Sequence, residues 1–437
     1  GLSRAGINTL GVLVAILVLL VTEPISIGVT CMLGVAFMVI FGVVKTIPQA
    51  LSGYTNQILF FVLVSFGISE AITKVPLSKR LLVMLIRLFG GKIERILLAL
   101  MLCAATLSSI MSNVATTAVL ISVVLNFLDV YEEEGERRKS GKSFFIGLPI
   151  ASMLGGMMPP AGSSLNLLTM DFLQREAGIT ITFVQWMAIG IPIALISLFV
   201  SWFLIAKVFR PVEVSPERIA SYISNLGITP KLSFREKYVG TLVVIMFILW
   251  VLSSWFPIFN ITIVGSIGFG FLFLPKIEIL NWKEYTNCVS WSAYFLVGTM
   301  MSLGTALSQN GVSTWLVDII FPASISMGFF AVTLLICLVV FLLLIPIPIA
   351  PALVTMLVTP FIALAQSWGI SPILLTVPLV LCASNSFLIP LDTVPLLTYM
   401  TGYYKMSDMP KVSVAIQLTL ALCIALWLPV VSGLLGF

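Results

Sequence analysis

Of the chain's 437 residues, 59% are hydrophobic and only 9% are charged. A soluble domain is about half apolar and about a quarter charged, so with a mean hydropathy of +1.14 this is a polytopic membrane protein. The net charge of +5 is spread without a basic, aromatic-interleaved tract, which argues against a nucleic-acid partner.

Taken in chain order, apolar segments fall at 8–22, 26–45, 56–72, 94–111, 114–130, 144–158 and 183–208. A second series follows at 238–256, 260–275, 291–309, 327–345, 351–366, 371–389 and 411–435. The first run reads as a membrane helix and not as a cleaved signal, because no small-residue cleavage pattern follows it. Several segments are too short to span a bilayer and end in Gly, Pro or Ser, the pattern of re-entrant or broken helices. The expected fold is an all-α polytopic membrane protein with about 11 crossings and two re-entrant hairpins.

Two loops concentrate charge: YEEEGERRKSGK at 131–142, and the stretch from Lys207 to Lys237. The excess of Lys and Arg on cytoplasmic loops predicts that both face the cytoplasm. The second loop divides the chain into 1–210, a linker at 211–237, and 238–437. Across that divide SEAITKVPLSKRL (69–81) resembles GTALSQNGVSTWL (304–316), and SNVATTAVL (112–120) aligns with PIPIAPALV (346–354). PAGSSLNLLTM (160–170) aligns with PLDTVPLLTYM (390–400). Three blocks in one order, each displaced by about 230–235 residues, indicate two structural repeats, inverted if each has an odd number of crossings.

The polar interruptions are the candidate site. Ser112, Asn113 and Thr116 lie at the first hairpin, and Gly162, Ser163, Ser164 and Asn166 at the next break. A desolvated anion needs hydroxyls, amides and helix N-termini in place of water, and these residues supply them. The same Ser and Asn residues also fit a plain capping role. In the second half Pro346 and Pro348 stand at the matching tip, without side-chain donors or N–H groups. They free carbonyls that suit a cation or a water and repel an anion, or they simply fix the turn. Asp392, followed by Thr393 and Pro395, is an acid inside an apolar segment and therefore a functional candidate: a cation ligand, a proton acceptor, an ion-pair partner or an N-cap. Ser384 and Asn385 read as a polar contact between helices.

Glu70 and Lys74 are spaced for an i,i+4 pair. Trp186, Trp202, Trp250, Trp255 and Trp291 near segment ends suggest interfacial belts. Absence of His removes imidazole relays and ligands, and six scattered Cys read as buried hydrophobes. No P-loop or hydrolase motif occurs, so the chain is expected to be neither an enzyme nor an ATP-driven pump, and no cofactor is expected.

TEPISIGVTCML, the Ser112–Thr116 stretch SNVAT, GSSLN at 162–166, WSAYFLVGTMMSLGTALSQNGVSTWL at 291–316 and TGYYKMSDMPK at 401–411 occur in one order. Together they resemble the divalent anion/sodium symporter family. The resemblance implies a homodimer in a cell membrane, a bacterial inner membrane by type. It implies elevator-type alternating access and transport of C4 or C5 dicarboxylates, citrate or sulfate, with Na+ as coupling ion. It also implies Ser-Asn-Thr motifs at both hairpin tips and Thr-Pro-Pro segments facing them. This chain departs from that pattern: Val114 stands for the first Thr, Ser164 and Leu165 replace the first prolines, and Pro346-Ile347-Pro348 replaces the second Ser-Asn-Thr. Val394 interrupts the second Thr-Pro-Pro, and Asp392 replaces a small neutral residue. Proton coupling, obligate exchange and a transport-deficient receptor are the alternatives these departures raise; a channel would need a continuous polar pathway.

Overall fold

The computed structural model describes residues 1–229, 231–320 and 327–436. Within them every regular element is a helix. Polar caps set many of the starts. Asn56 accepts from the Ile58 N–H ahead of Gln57–Thr73, and Thr182–Gln185 and Ser233–Glu236 form capping boxes ahead of Phe183–Phe209 and Phe234–Leu252. By length and composition Arg4–Thr22, Phe183–Phe209, Ala350–Ser367 and Pro410–Leu435 are long and apolar enough to cross a bilayer singly. Gln57–Thr73 and Leu77–Phe89 are apolar enough only when taken together, and they are bent by 63° at their junction.

The order of elements occurs twice. In the first half the bent pair leads to a hairpin, Ile93–Ser108 and Asn113–Leu128. A broken helix, Glu134–Gly156 and Ser164–Ala177, and the long helix Phe183–Phe209 follow. In the second half Trp291–Gln309 and Val312–Ile320 lead to the hairpin Phe329–Leu343 and Ala350–Ser367. The broken helix Ile373–Ala383 and Thr393–Tyr399 and the long helix Pro410–Leu435 complete it. The two long helices pack together at the centre.

Contacts between loops fix the sides. Arg137 Nε donates to Tyr403 Oη (3.1 Å) and Lys142 pairs with Asp408 (3.2 Å) on one side. On the other, Asn56 Nδ2 donates to Asp171 (3.1 Å) and Ser308 Oγ to Glu176 (2.7 Å). Following the helices between these clusters, all of the 23 Lys and Arg residues except Arg4, Lys45 and Arg175 lie on the first side. That side is cytoplasmic by the positive-inside bias, which also puts the charged loops 131–142 and 207–237 there. The first hairpin is rooted at this face and the second at the opposite one, so the repeats are inverted.

The halves also exchange parts. Tyr54, which precedes Gln57–Thr73 in sequence, packs instead on Trp291–Gln309: its hydroxyl donates to Phe295 O (3.1 Å) and its ring lies on Gly298. Tyr285 does the converse, donating to Leu63 O (3.1 Å) and lying, with Phe269, beside Gly67. Both tyrosines open a Tyr-Thr-Asn triplet, at 54–56 and 285–287, a recurrence missing from the aligned blocks above. A Cβ on Gly298 would sit 2.6 Å from the Tyr54 ring, and one on Gly67 2.5 Å from Phe269, so these positions exclude larger residues.

Two expectations change on folding. Lys74 does not bridge to Glu70; it pairs with Glu284 of the other half at 2.5 Å and donates to Ile279 O (3.1 Å), because the kink after Thr73 turns it outward. Trp186 and Trp250 are no belt residues: both are buried, donating to Met157 O (3.1 Å) and Ile261 O (3.2 Å). Trp255 and Trp291 are exposed. All six cysteines are free.

Replacing Gly298 with Val should force the Tyr54 ring out of place and cost about 1–3 kcal/mol, the usual range for overpacking. A thermal-shift measurement in detergent should read a lower Tm, and an unchanged Tm would contradict the exchange between halves.

Candidate functional site

Among the described residues, helices are interrupted inside the bundle at four places, two hairpin tips and two breaks, and expose backbone groups there. The first tip spans Ser109–Ser112. Ser112 caps Asn113–Leu128, its Oγ accepting from Ala115 N–H (3.2 Å), while its own N–H donates to Ser69 Oγ (3.2 Å). Asn113 Oδ1 accepts from Ser108 Oγ (2.5 Å). The Asn113 amide lies directly over Gly156, the last residue of the helix before the first break, where a Cβ would come within 2.3 Å of Oδ1.

The first break runs from Met157 to Ser163. Asn166, fully buried, donates from Nδ2 to the carbonyls of Gly156 and Pro159, both at 3.0 Å, and closes the break on itself. Gly162 backs onto Gly156 O, so no side chain fits there. Ser163 caps Ser164–Ala177 by accepting from Leu165 N–H (3.3 Å), and Ser164 is half-buried on the first turn. Among the described residues Asn166 Oδ1 and Thr116 Oγ1 are buried without a hydrogen-bond partner. Thus the first tip and first break, carrying Ser112, Asn113, Gly162, Ser163, Ser164 and Asn166, form one polar junction.

The second half is built differently. Its tip, Leu344–Ile349, presents Pro346 exposed and Pro348 half-buried, and no side-chain polar atom. Leu344 and Ile345 pack against Ser386, Leu388, Ile389 and Leu391 of the second break. Asp392 is half-buried and caps Thr393–Tyr399, accepting from Val394 N–H (3.1 Å). Among the described residues no Lys or Arg pairs with it, so the ion-pair reading falls away and the capping role is the observed one. Thr393 is exposed, and buried Pro395 offers its carbonyl to Tyr404 Oη and Thr398 Oγ1, both at 3.0 Å. The short helix they begin packs on Asn113–Leu128 and Glu134–Gly156, the arms that carry the first junction.

Asn385 belongs to the site more closely than a helix–helix contact implies. It is fully buried, donates from Nδ2 to Leu381 O (2.7 Å) and Met157 Sδ (3.3 Å), and leaves Oδ1 unpartnered. Its carbonyl accepts from Gln417 Nε2 (3.3 Å). It therefore joins the second break to the first. The signal for it was an amide in an apolar run just past the end of the helix Ile373–Ala383.

The loop after Thr393–Tyr399 is held by Asp408. This buried carboxylate accepts from Lys411 Nζ (2.6 Å), Lys405 N–H (3.0 Å) and Lys142 Nζ (3.2 Å). Burial pushes its pKa up, but Lys411, the Lys405 N–H and Lys142 outweigh it and bring the value down to about 2.

A family model described as the sodium:sulfate symporter transmembrane region matches residues 1–433. A membrane protein of Cupriavidus necator is 25% identical over 338 residues, covering 72% of this chain but only 64% of that protein. The sodium-dependent dicarboxylate transporter SdcS of Staphylococcus saprophyticus is 24% identical over 95% of this chain and 84% of its own length. The protein of the same name from Staphylococcus aureus is 25% identical over 98% and 87%. Among solved structures the Alcanivorax borkumensis YdaH transporter, described as having an unusual topology, shares the fold with a TM-score of 0.53. Identity there is 15%, over 89% of this chain and 87% of that one.

Asp408→Asn tests the cytoplasmic anchor. The folded carboxyl is depressed, so its stabilisation is complete above the unfolded pKa near 4 and is lost as pH falls through about 2. The variant should melt lower than the parent at pH 7, by on the order of 1–2 kcal/mol, and the gap should close on acidification. A gap independent of pH would assign the effect to packing.

Proposed function

This chain belongs to the sodium:sulfate symporter family and is a multi-pass cell-membrane transporter; on that premise we propose that it carries small divalent anions, a C4 or C5 dicarboxylate, citrate or sulfate, in symport with Na+. It is a transporter of small anions rather than an enzyme. The observation that carries the proposal is the junction of Asn113 with Gly156, where the N-termini of Asn113–Leu128 and Ser164–Ala177 meet a fixed set of hydroxyls and amides.

Each of those N-termini presents N–H groups and the positive end of a helix dipole. Ser112, Asn113, Ser163 and Ser164 add neutral donors, so an anion shed of water finds replacements without a permanent cation that would hold it too tightly. Thr116 and Asn166 supply buried oxygens without partners, the chemistry a sodium ion uses. Gly162 lets the backbone of the break close onto Gly156 beside them. At the second tip Pro346 and Pro348 leave carbonyls without N–H groups of their own, and at the end of the second break Thr393 and Pro395 follow Asp392. In our reading Asp392 compensates the coupling cation, since no basic residue neutralises it among the described residues.

Alternating access by an elevator movement, a homodimer, and a division into 1–210 and 238–437 joined by 211–237 complete the proposal. The second reading is proton coupling or obligate exchange, favoured by the second tip's lack of side-chain donors.

The deciding experiment is uptake of radiolabelled succinate and sulfate into proteoliposomes, driven separately by inward Na+, inward H+ and internal unlabelled substrate. A sodium gradient alone should drive accumulation, and Asn113→Ala should reduce it at least tenfold with Tm within a few degrees of the parent. Accumulation only with protons or internal substrate would replace symport with the second reading. Asn caps as well as Asp, so Asp392→Asn should stay folded. It should lose most sodium-driven accumulation, whereas unchanged rate and ion dependence would leave Asp392 a cap alone.

A further inference from the structure

We propose that the cytoplasmic cleft between the helix Leu77–Phe89 and residues 223–229 binds the headgroup of an anionic phospholipid, with Arg87 as its phosphate ligand. The cleft is a cavity of about 560 Å³ lined by Arg80, Val83, Met84, Arg87, Ile223, Ile228 and Thr229. Its chemistry suits an amphiphile with a negative head: two guanidinium groups and the Thr229 hydroxyl beside the apolar side chains of Val83, Met84, Ile223 and Ile228. Arg80 is already committed, to Glu236, to Thr229 O (2.8 Å) and to Lys231 O (3.1 Å). Arg87 is exposed and among the described residues has no hydrogen-bond or ion-pair partner. It lies between Met84 and Leu88, which are 57% and 72% exposed and cover the same helix face. Apolar side chains flanking a free arginine at the cytoplasmic border place a cation at headgroup depth and alkyl groups beside acyl chains.

The inverted repeat supplies an internal control. Leu77–Phe89 and Val312–Ile320 occupy the same place in their repeats, each following an inner helix and preceding a hairpin. The cytoplasmic helix carries Lys79, Arg80 and Arg87; its counterpart at the outer face has no base and contains Asp318. The shared architecture therefore does not require the bases. What differs between the two positions is the leaflet, and anionic lipids attract basic residues at the cytoplasmic surface. A lipid held there also touches the linker between the repeats and the approach to the first hairpin, which begins at Ile93 only a few residues past Arg87.

Native mass spectrometry of the purified full chain, titrated with phosphatidylglycerol or phosphatidylcholine, tests this independently of what the protein transports. Phosphatidylglycerol should bind preferentially. Arg87→Gln should weaken it about fivefold, as ~1 kcal/mol for a basic residue at the membrane surface implies, while Arg138→Gln, in an exposed cytoplasmic stretch, should leave it unchanged. Equal binding to Arg87→Gln and parent overturns the proposal, and so does equal loss in both variants, which would mean diffuse attraction to net charge. Displacement by millimolar inorganic phosphate would make the cleft a site for free anions and overturn the lipid assignment.

Discussion

A helix that stops inside a bilayer leaves N–H and C=O groups that hydrocarbon cannot satisfy, and such ends survive only buried in protein or lining an aqueous cavity. Among the described residues the chain has four such interruptions, two at hairpin tips and two at breaks, each leaving two helix ends. The constraint explains their mutual placement. Asn113 covers Gly156, Asn166 closes the first break on the carbonyls of Gly156 and Pro159, and Asn385 reaches Met157, so the first tip and the two breaks hold one another. Moving one of them alone would strand polar atoms at the others, which ties the junction into one unit.

The halves are held together by an exchange at their outer edges. The Tyr54 region packs against Gly298, and the Tyr285 region against Gly67. Neither repeat therefore completes its own surface. Because each tyrosine donates to a backbone carbonyl on the opposite half, the contact has direction as well as bulk, and it sets the register of one repeat on the other.

Much of the fold was legible because the bilayer imposes it locally. Apolar runs, their interruptions and the bias of Lys and Arg toward one set of loops read directly from the chain. The candidate hairpin and break at 109–113 and 157–163 were visible as Ser, Asn and Gly inside such runs. What was not legible depends on neighbours from the other half. Lys74 sits one turn from Glu70 in sequence yet meets Glu284. Trp186 lies near a segment end yet is buried against Met157 O, because the break brings that carbonyl beneath it. The Tyr-Thr-Asn recurrence stands outside the hairpins, and its meaning appears only when each copy is seen on the opposite repeat. From the sequence Asp392 reads as cap, cation ligand, proton acceptor or ion-pair partner; only the absence of an ion-pairing base among the described residues narrows that choice.

The two tips meet one constraint in opposite ways. The first retains its N–H groups, capping Asn113–Leu128 with Ser112 and leaving donors available at the junction. At the second, Pro346, Pro348 and Pro351 delete N–H groups in the turn and the first helical positions, where they would otherwise be orphans. That removes unsatisfied polar groups and, with them, some of the donors a helix start would otherwise present. The second broken helix extends the difference, because its N-terminus is occupied by the chain's own carboxylate, Asp392, where the first half uses the neutral Ser163. The repeats thus offer different groups at matching positions, hydroxyls and amides in the first half and a carboxyl group with proline-flanked carbonyls in the second, although both halves follow one helical plan.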